Sequence, residues 1–149
     1  MALAAADAHD RAEQLLALTE RLTELLGQET AAFERRRPHE AAVTLEETGR
    51  LANLYRHESA RIRRDPTLIA GAPVELRRRL VTATEDFDAA CRRHERALTA
   101  ARTVTEGMVK AIADEIASTR VPNAGYGPGA RPGMAAHQAA SAITLNRRA

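Results

Sequence analysis

The chain has 149 residues, enough for about one domain with a moderate core, and its 22 basic and 20 acidic side chains leave a net charge of +2. Its apolar content of 44% is rich in Ala, with only two Phe, two Tyr and no Trp, which favours thin Ala- and Leu-lined helix contacts over an enclosed catalytic or cofactor pocket. The single Cys91 excludes an intrachain disulfide framework, and no apolar run approaches the length of a membrane span.

The opening Met-Ala-Leu-Ala-Ala-Ala-Asp meets charge too soon to be a signal peptide, so the expectation is a cytoplasmic protein. A first helix is predicted from about residue 7 to 36, where Leu15, Leu18, Leu22 and Leu25 recur at spacings of 3, 4 and 3. Leu26 and Phe33 widen that stripe beyond the seam of a two-stranded coiled coil, so this helix expects more than one neighbour. Acidic Asp7, Asp10 and Glu13 near its start and Arg35 to Arg37 at its end complement the helix dipole, and Pro38 interrupts it. A second helix is predicted from Pro38 to Arg64, on the 4-3 spacing of Ala41, Leu45, Thr48, Ala52, Tyr55, Ser59 and Ile62. Asp65-Pro66 closes it, and two prolines with Gly71 reverse the chain before Pro73. The third helix, about residues 74 to 120, carries the strongest periodicity: Leu80, Thr84, Phe87, Cys91, His94, Leu98, Ala101, Thr105, Met108 and Ile112, continued by Ile116.

Length then sets the architecture. Near 1.5 Å per residue the third helix is roughly 70 Å long and its neighbours about 45 and 40 Å, so an elongated antiparallel three-helix bundle over residues 1–120 leaves its last turns projecting. Met108, Val109, Ile112 and Ile116 are there expected to lack an intramolecular cover, which makes them candidate partner-binding residues. Residues 121–149 follow as a Pro-, Gly- and Ala-rich tail, predicted to be flexible, that ends in Ser-Ala-Ile-Thr-Leu-Asn. Tyr126, Ile143 and Leu145 are its candidate contacts; the competing reading is a loose terminus with incidental apolar residues.

Other constellations carry less. Cys91 and His94 stand three apart and could form a metal or nucleophilic pair, but both lie on the heptad stripe, where packing is the favoured reading. No other Cys and no His-x-x-x-His pair completes a metal site, Glu85, Asp86 and Asp88 have no pocket to shift a carboxyl pKa, and the tail glycines do not form a phosphate loop. These absences point to a protein without catalysis, cofactor or metal. The arginine runs at 61 to 64 and 77 to 79 are expected to meet at one end as a basic tip, suited to phosphate or an acidic surface if not simply solvated. Three of the 22 basic residues (Arg131, Arg147, Arg148) and none of the acids fall in the tail. Residues 1–120 therefore hold 19 basic and 20 acidic side chains, which argues against a nucleic-acid binder.

The segment LTELLGQETAAFERRRPHEAAVTLEETGRLANLY (residues 22 to 55), the long third helix, and GYGPGARPG followed by SAITLNRRA resemble the FlgN-type flagellar export chaperones. The resemblance covers nearly the whole chain and lies in the order of its parts, since heptads alone are generic. It implies a cytoplasmic chaperone that holds hook-associated proteins by their C-terminal helical segments until the flagellar type III export apparatus takes them. It also implies that the late third helix and the tail bind the cargo. The high arginine content departs from the more acidic helices of relatives. The alternatives are a structural coiled-coil protein that oligomerises through the third helix, and a helical bundle that binds nucleic acid through the arginine tip.

Overall fold

The computed structural model describes residues 2–120, and every regular element in that span is helical. In chain order these are α1 (Ala8–Glu34), α2 (Pro38–Ala41), α3 (Leu45–Arg64), α4 (Thr67–Ala70) and α5 (Val74–Thr119). The three long helices run up, down and up. Ala8 at the start of α1 lies beside Gly71 just before α5, early Arg11 meets late Glu58 of α3, and Arg21 meets early Glu47. The result is the elongated antiparallel bundle expected from the sequence, with α1 as the helix on which the others lie. The expected flexible tail falls outside the described residues.

Local chemistry sets the ends of α1. Asp7 adopts an extended conformation (φ −149°, ψ −174°) and accepts the Asp10 N–H at 2.8 Å, while Asp10 accepts the Ala6 N–H at 2.9 Å. The first bond satisfies a first-turn donor that the helix cannot, and the second ties the residue before the cap to the same turn. At the other end the Arg37 N–H reaches the Ala32 carbonyl at 2.8 Å and the Arg36 N–H reaches Phe33 at 3.0 Å, with Arg36 at φ 60°. That is a Schellman ending with arginine in the left-handed position that glycine normally takes, at a cost of about 1 kcal/mol.

The predicted second helix is not continuous from Pro38 to Arg64. It breaks at residues 42–44 into the single turn of α2 and the longer α3. Val43 and Thr44 are β-branched and poor helix formers, and Thr44 turns its hydroxyl to the Ala41 carbonyl (3.2 Å) and to Glu29 of α1 (2.9 Å). Leu45, expected on the core face, is instead 55% exposed. The chain reversal holds a further helical turn, α4, opened by Asp65, whose carboxylate accepts the Thr67 N–H at 3.1 Å.

The core is built from Ala12, Leu15, Leu18 and Leu22 of α1 against Ala72, Leu76, Leu80 and Ala83, with Leu51, Leu54, Tyr55, Ile62, Ile69 and Phe87 closing it. Tyr55 and Phe87 meet with ring centroids 4.9 Å apart, joining α3 to α5. On α5 the register differs from the predicted stripe. Two interleaved 4-3 stripes share Leu80, Phe87, His94 and Ala101. The face turned to the bundle takes Ala83, Ala90 and Ala97, and leaves Thr84 and Leu98 exposed. Alanines have the smaller side chains and lie where α1 packs against α5.

Candidate partner-binding face

The cover over α5 ends at a definite place. Arg93 grips Glu34 at the end of α1 with two hydrogen bonds of 3.0 and 2.7 Å. His94 Nδ1 lies 3.1 Å from the Thr30 hydroxyl, and its ring meets Phe33 edge-on at 6.0 Å. Ala97 and Ala101 are half-buried, and every residue from Arg102 to Arg120 is exposed. The uncovered helix, 102–119, is roughly 27 Å long at the usual rise.

The apolar stripe does not stop where its cover stops. Ala97, Ala101, Val104 and Met108 keep the 4-3-4 spacing of the face that α1 covers earlier, and Ile112 and Ile116, at two further steps of four, carry the apolar stripe on around the helix by about 40° each. Val109 widens this face. Met108, Val109, Ile112 and Ile116 are 61%, 62%, 58% and 49% exposed, as the lengths predicted. Glu106, Lys110 and Asp114 occupy the opposite side, where Arg102 and Glu106 form an i,i+4 pair at 2.7 Å. Chemically this is an amphipathic helix with a bare apolar face, suited to receive another helix. Tyr126, Ile143 and Leu145 lie outside the described residues.

Two buried carboxylates fix the covered part, and residue spacing alone did not single them out. Glu58, fully buried, accepts hydrogen bonds from Arg11 Nη1 (2.8 Å), Arg61 Nη1 (2.8 Å) and the Leu3 N–H (3.0 Å). Burial acts to raise its pKa, but the Leu3 N–H and the two guanidinium groups outweigh that and hold the carboxyl below its usual range. Glu29 accepts from Thr44 and Thr48 at 2.9 and 2.6 Å and lies 3.6 Å from His94, tying α1, the break and α5 together. Among the described residues no buried side-chain polar atom lacks a partner. A signal for these groups exists in the sequence: Arg11 precedes Leu15, Leu18 and Leu22 at stripe spacing, and Glu58 falls between Tyr55 and Ile62 at stripe spacing. Opposite charges at core positions of antiparallel helices mark a cross-helix pair.

The remaining candidates are placed as follows. Cys91 is half-buried, and burial first, then neighbouring Asp88, pushes its thiol pKa up, so it stays protonated rather than reactive. His94 is engaged with Thr30, Phe33 and Glu29. In the arginine tip, Arg61, Arg78 and Arg79 pair with Glu58, Glu75 and Glu20, while Arg63 and Arg77 line one shallow groove with Tyr55, Ile69 and Leu80. Among the described residues no helix is long and apolar enough to cross a membrane, and no three His, Cys, Asp or Glu side chains cluster as metal ligands.

Sequence similarity to a known protein extends along the whole chain. The chain is 54% identical over 154 aligned positions to the flagellar basal-body protein FlbY of Caulobacter vibrioides, and the alignment covers all of both proteins. The chain belongs to the FlbY family of flagellar proteins. Full-length coverage means that this FlbY relative aligns with the covered half of α5, the projecting half and the segment beyond. No family model matches the chain, so the FlgN-type resemblance gains no support from that side, and no solved structure matches it.

Proposed function

We propose that this protein is a flagellar export chaperone. It binds the C-terminal helical segments of hook-associated proteins in the cytoplasm and passes them to the export apparatus, by binding alone and without a catalytic step or cofactor. The observation that carries the reading is the apolar stripe of α5, which runs on bare for about four turns past the end of its intramolecular cover. An amphipathic cargo helix laid on Met108, Val109, Ile112 and Ile116 stands in for the α1 that the stripe has lost. Tyr126, Ile143 and Leu145, outside the described residues, are proposed as further contacts to the cargo. The relative supports a flagellar role, and the FlgN-type resemblance supports the chaperone part of the reading.

A second reading is favoured by the relative, a flagellar basal-body protein. On it, the chain is a structural component that oligomerises through the same face of α5. Calorimetry with C-terminal peptides of hook-associated proteins, together with light scattering of the free protein, separates the two. The chaperone reading expects a monomer that binds the peptide and loses binding on Ile112→Asp. A stable oligomer that ignores the peptide and dissociates on Ile112→Asp favours the structural one.

A further inference from the structure

Apolar surface is also left open between α3 and α5, at the end of the bundle away from the projecting helix. Both helices pack on α1, and their backbones stay apart from each other. The ring contact of Tyr55 with Phe87 closes this wedge at one end, and Ile69 of α4 lies at the other. Between them is an open groove of about 600 Å³, floored by Leu15 and Leu80 and walled by Tyr55 and Ile62 of α3 and by Val81 of α5. Val81 is 58% exposed. From Arg77 to Phe87 the groove spans roughly 15 Å, a little under three helical turns.

We propose that this groove receives an acidic amphipathic helix of a partner protein, at a site separate from the strip on the projecting half of α5. Charge selects the occupant. Arg63 of α3 and Arg77 of α5 flank the Ile69 end of the groove from opposite walls, and among the described residues neither is ion-paired, whereas Arg61, Arg78 and Arg79 are matched by Glu58, Glu75 and Glu20. Two uncompensated guanidinium groups beside one apolar floor complement carboxylates placed at one end of an apolar helix face. Glu85 lines the groove on the Phe87 side, so the partner helix lies with its carboxylates and its negative C-terminal end toward Ile69. Leu80 and Met108 are roughly 42 Å apart along α5, so this site and the strip can be occupied together.

The test uses the nitrogen-15-labelled full chain and a helical peptide that carries a leucine stripe with glutamates at its C-terminal end. Binding is expected to shift the amide signals of Ile62, Ile69, Val81 and Thr84, and to do so equally in the Ile112→Asp variant, whose strip is disabled. Arg63→Glu/Arg77→Glu should bind this peptide about tenfold or more weakly and should prefer a counterpart with lysines in place of the glutamates. Val81→Asp, at an exposed site where circular dichroism should show the bundle intact, should lose the glutamate peptide. Absence of amide shifts in the groove overturns the proposal, as does equal binding of the glutamate and lysine peptides by the parent chain. So does an oligomer of the free protein that Val81→Asp dissociates, because the occupant is then a second copy.

Discussion

Two halves of one helix obey different rules in this protein. From Val74 to about Ala101, α5 has a stripe covered by α1 and closed by Phe87, Tyr55 and the Glu34 to Arg93 pair. From Arg102 to Thr119 the apolar stripe continues, drifting around the helix by steps of four, and faces solvent. A helix amphipathic along its whole length is here covered along only part of it. Side chains in the first half hold the bundle, and on the proposed function those in the second receive a partner.

Several variants sharpen that division, and the largest effect is expected deep in the covered half. Glu58→Ala strands buried Arg11 without its carboxylate and should cost about 3–5 kcal/mol in denaturant unfolding. Because the folded pKa of Glu58 lies below its unfolded value, its contribution is present above the ordinary glutamate range. It is lost as pH falls through the lower folded value. Unfolding free energy of the parent should therefore drop in acid, and Glu58→Gln should flatten that drop. Leu22→Ala, at a site 1% exposed, is expected to cost about 2–5 kcal/mol, with the same change at Ile112 costing far less.

Smaller effects follow at the margin. Cys91→Ala should cost about 1 kcal/mol, and the native thiol should react slowly with thiol reagents near neutral pH because burial raises its pKa. Rapid modification of native Cys91 would falsify its placement against the bundle. Gly107 lies in the exposed half of α5 with open space where a side chain would project. Gly107→Ala should therefore raise stability by about 0.5–1 kcal/mol, measured by thermal unfolding.

The sequence made the length relation legible because it depends only on punctuation and rise: Pro38, Asp65-Pro66 and Pro73 bound helices whose lengths differ too much to match. The bare Met108 to Ile116 strip followed from that alone. Periodicity could not choose between the two α5 stripes, since both share Leu80, Phe87, His94 and Ala101; the choice of Ala83 over Thr84 depends on where α1 lies. The break at 42–44 was hidden because Ala41 and Leu45 keep helical spacing, while the interaction that bends the chain there is between Thr44 and Glu29, 15 residues away. Residue type points away from burial of Glu58 and Arg11, because charged side chains are ordinarily solvated, and their burial is licensed only by each other.

The central claim is that the second half of α5 serves recognition rather than folding, and Ile112→Asp tests it most directly. The account predicts that helical content and unfolding free energy stay within about 0.5 kcal/mol of the parent, while calorimetric binding of the hook-associated C-terminal segment is lost. An Ile112→Asp protein that unfolds, or that binds the segment as tightly as the parent, contradicts it.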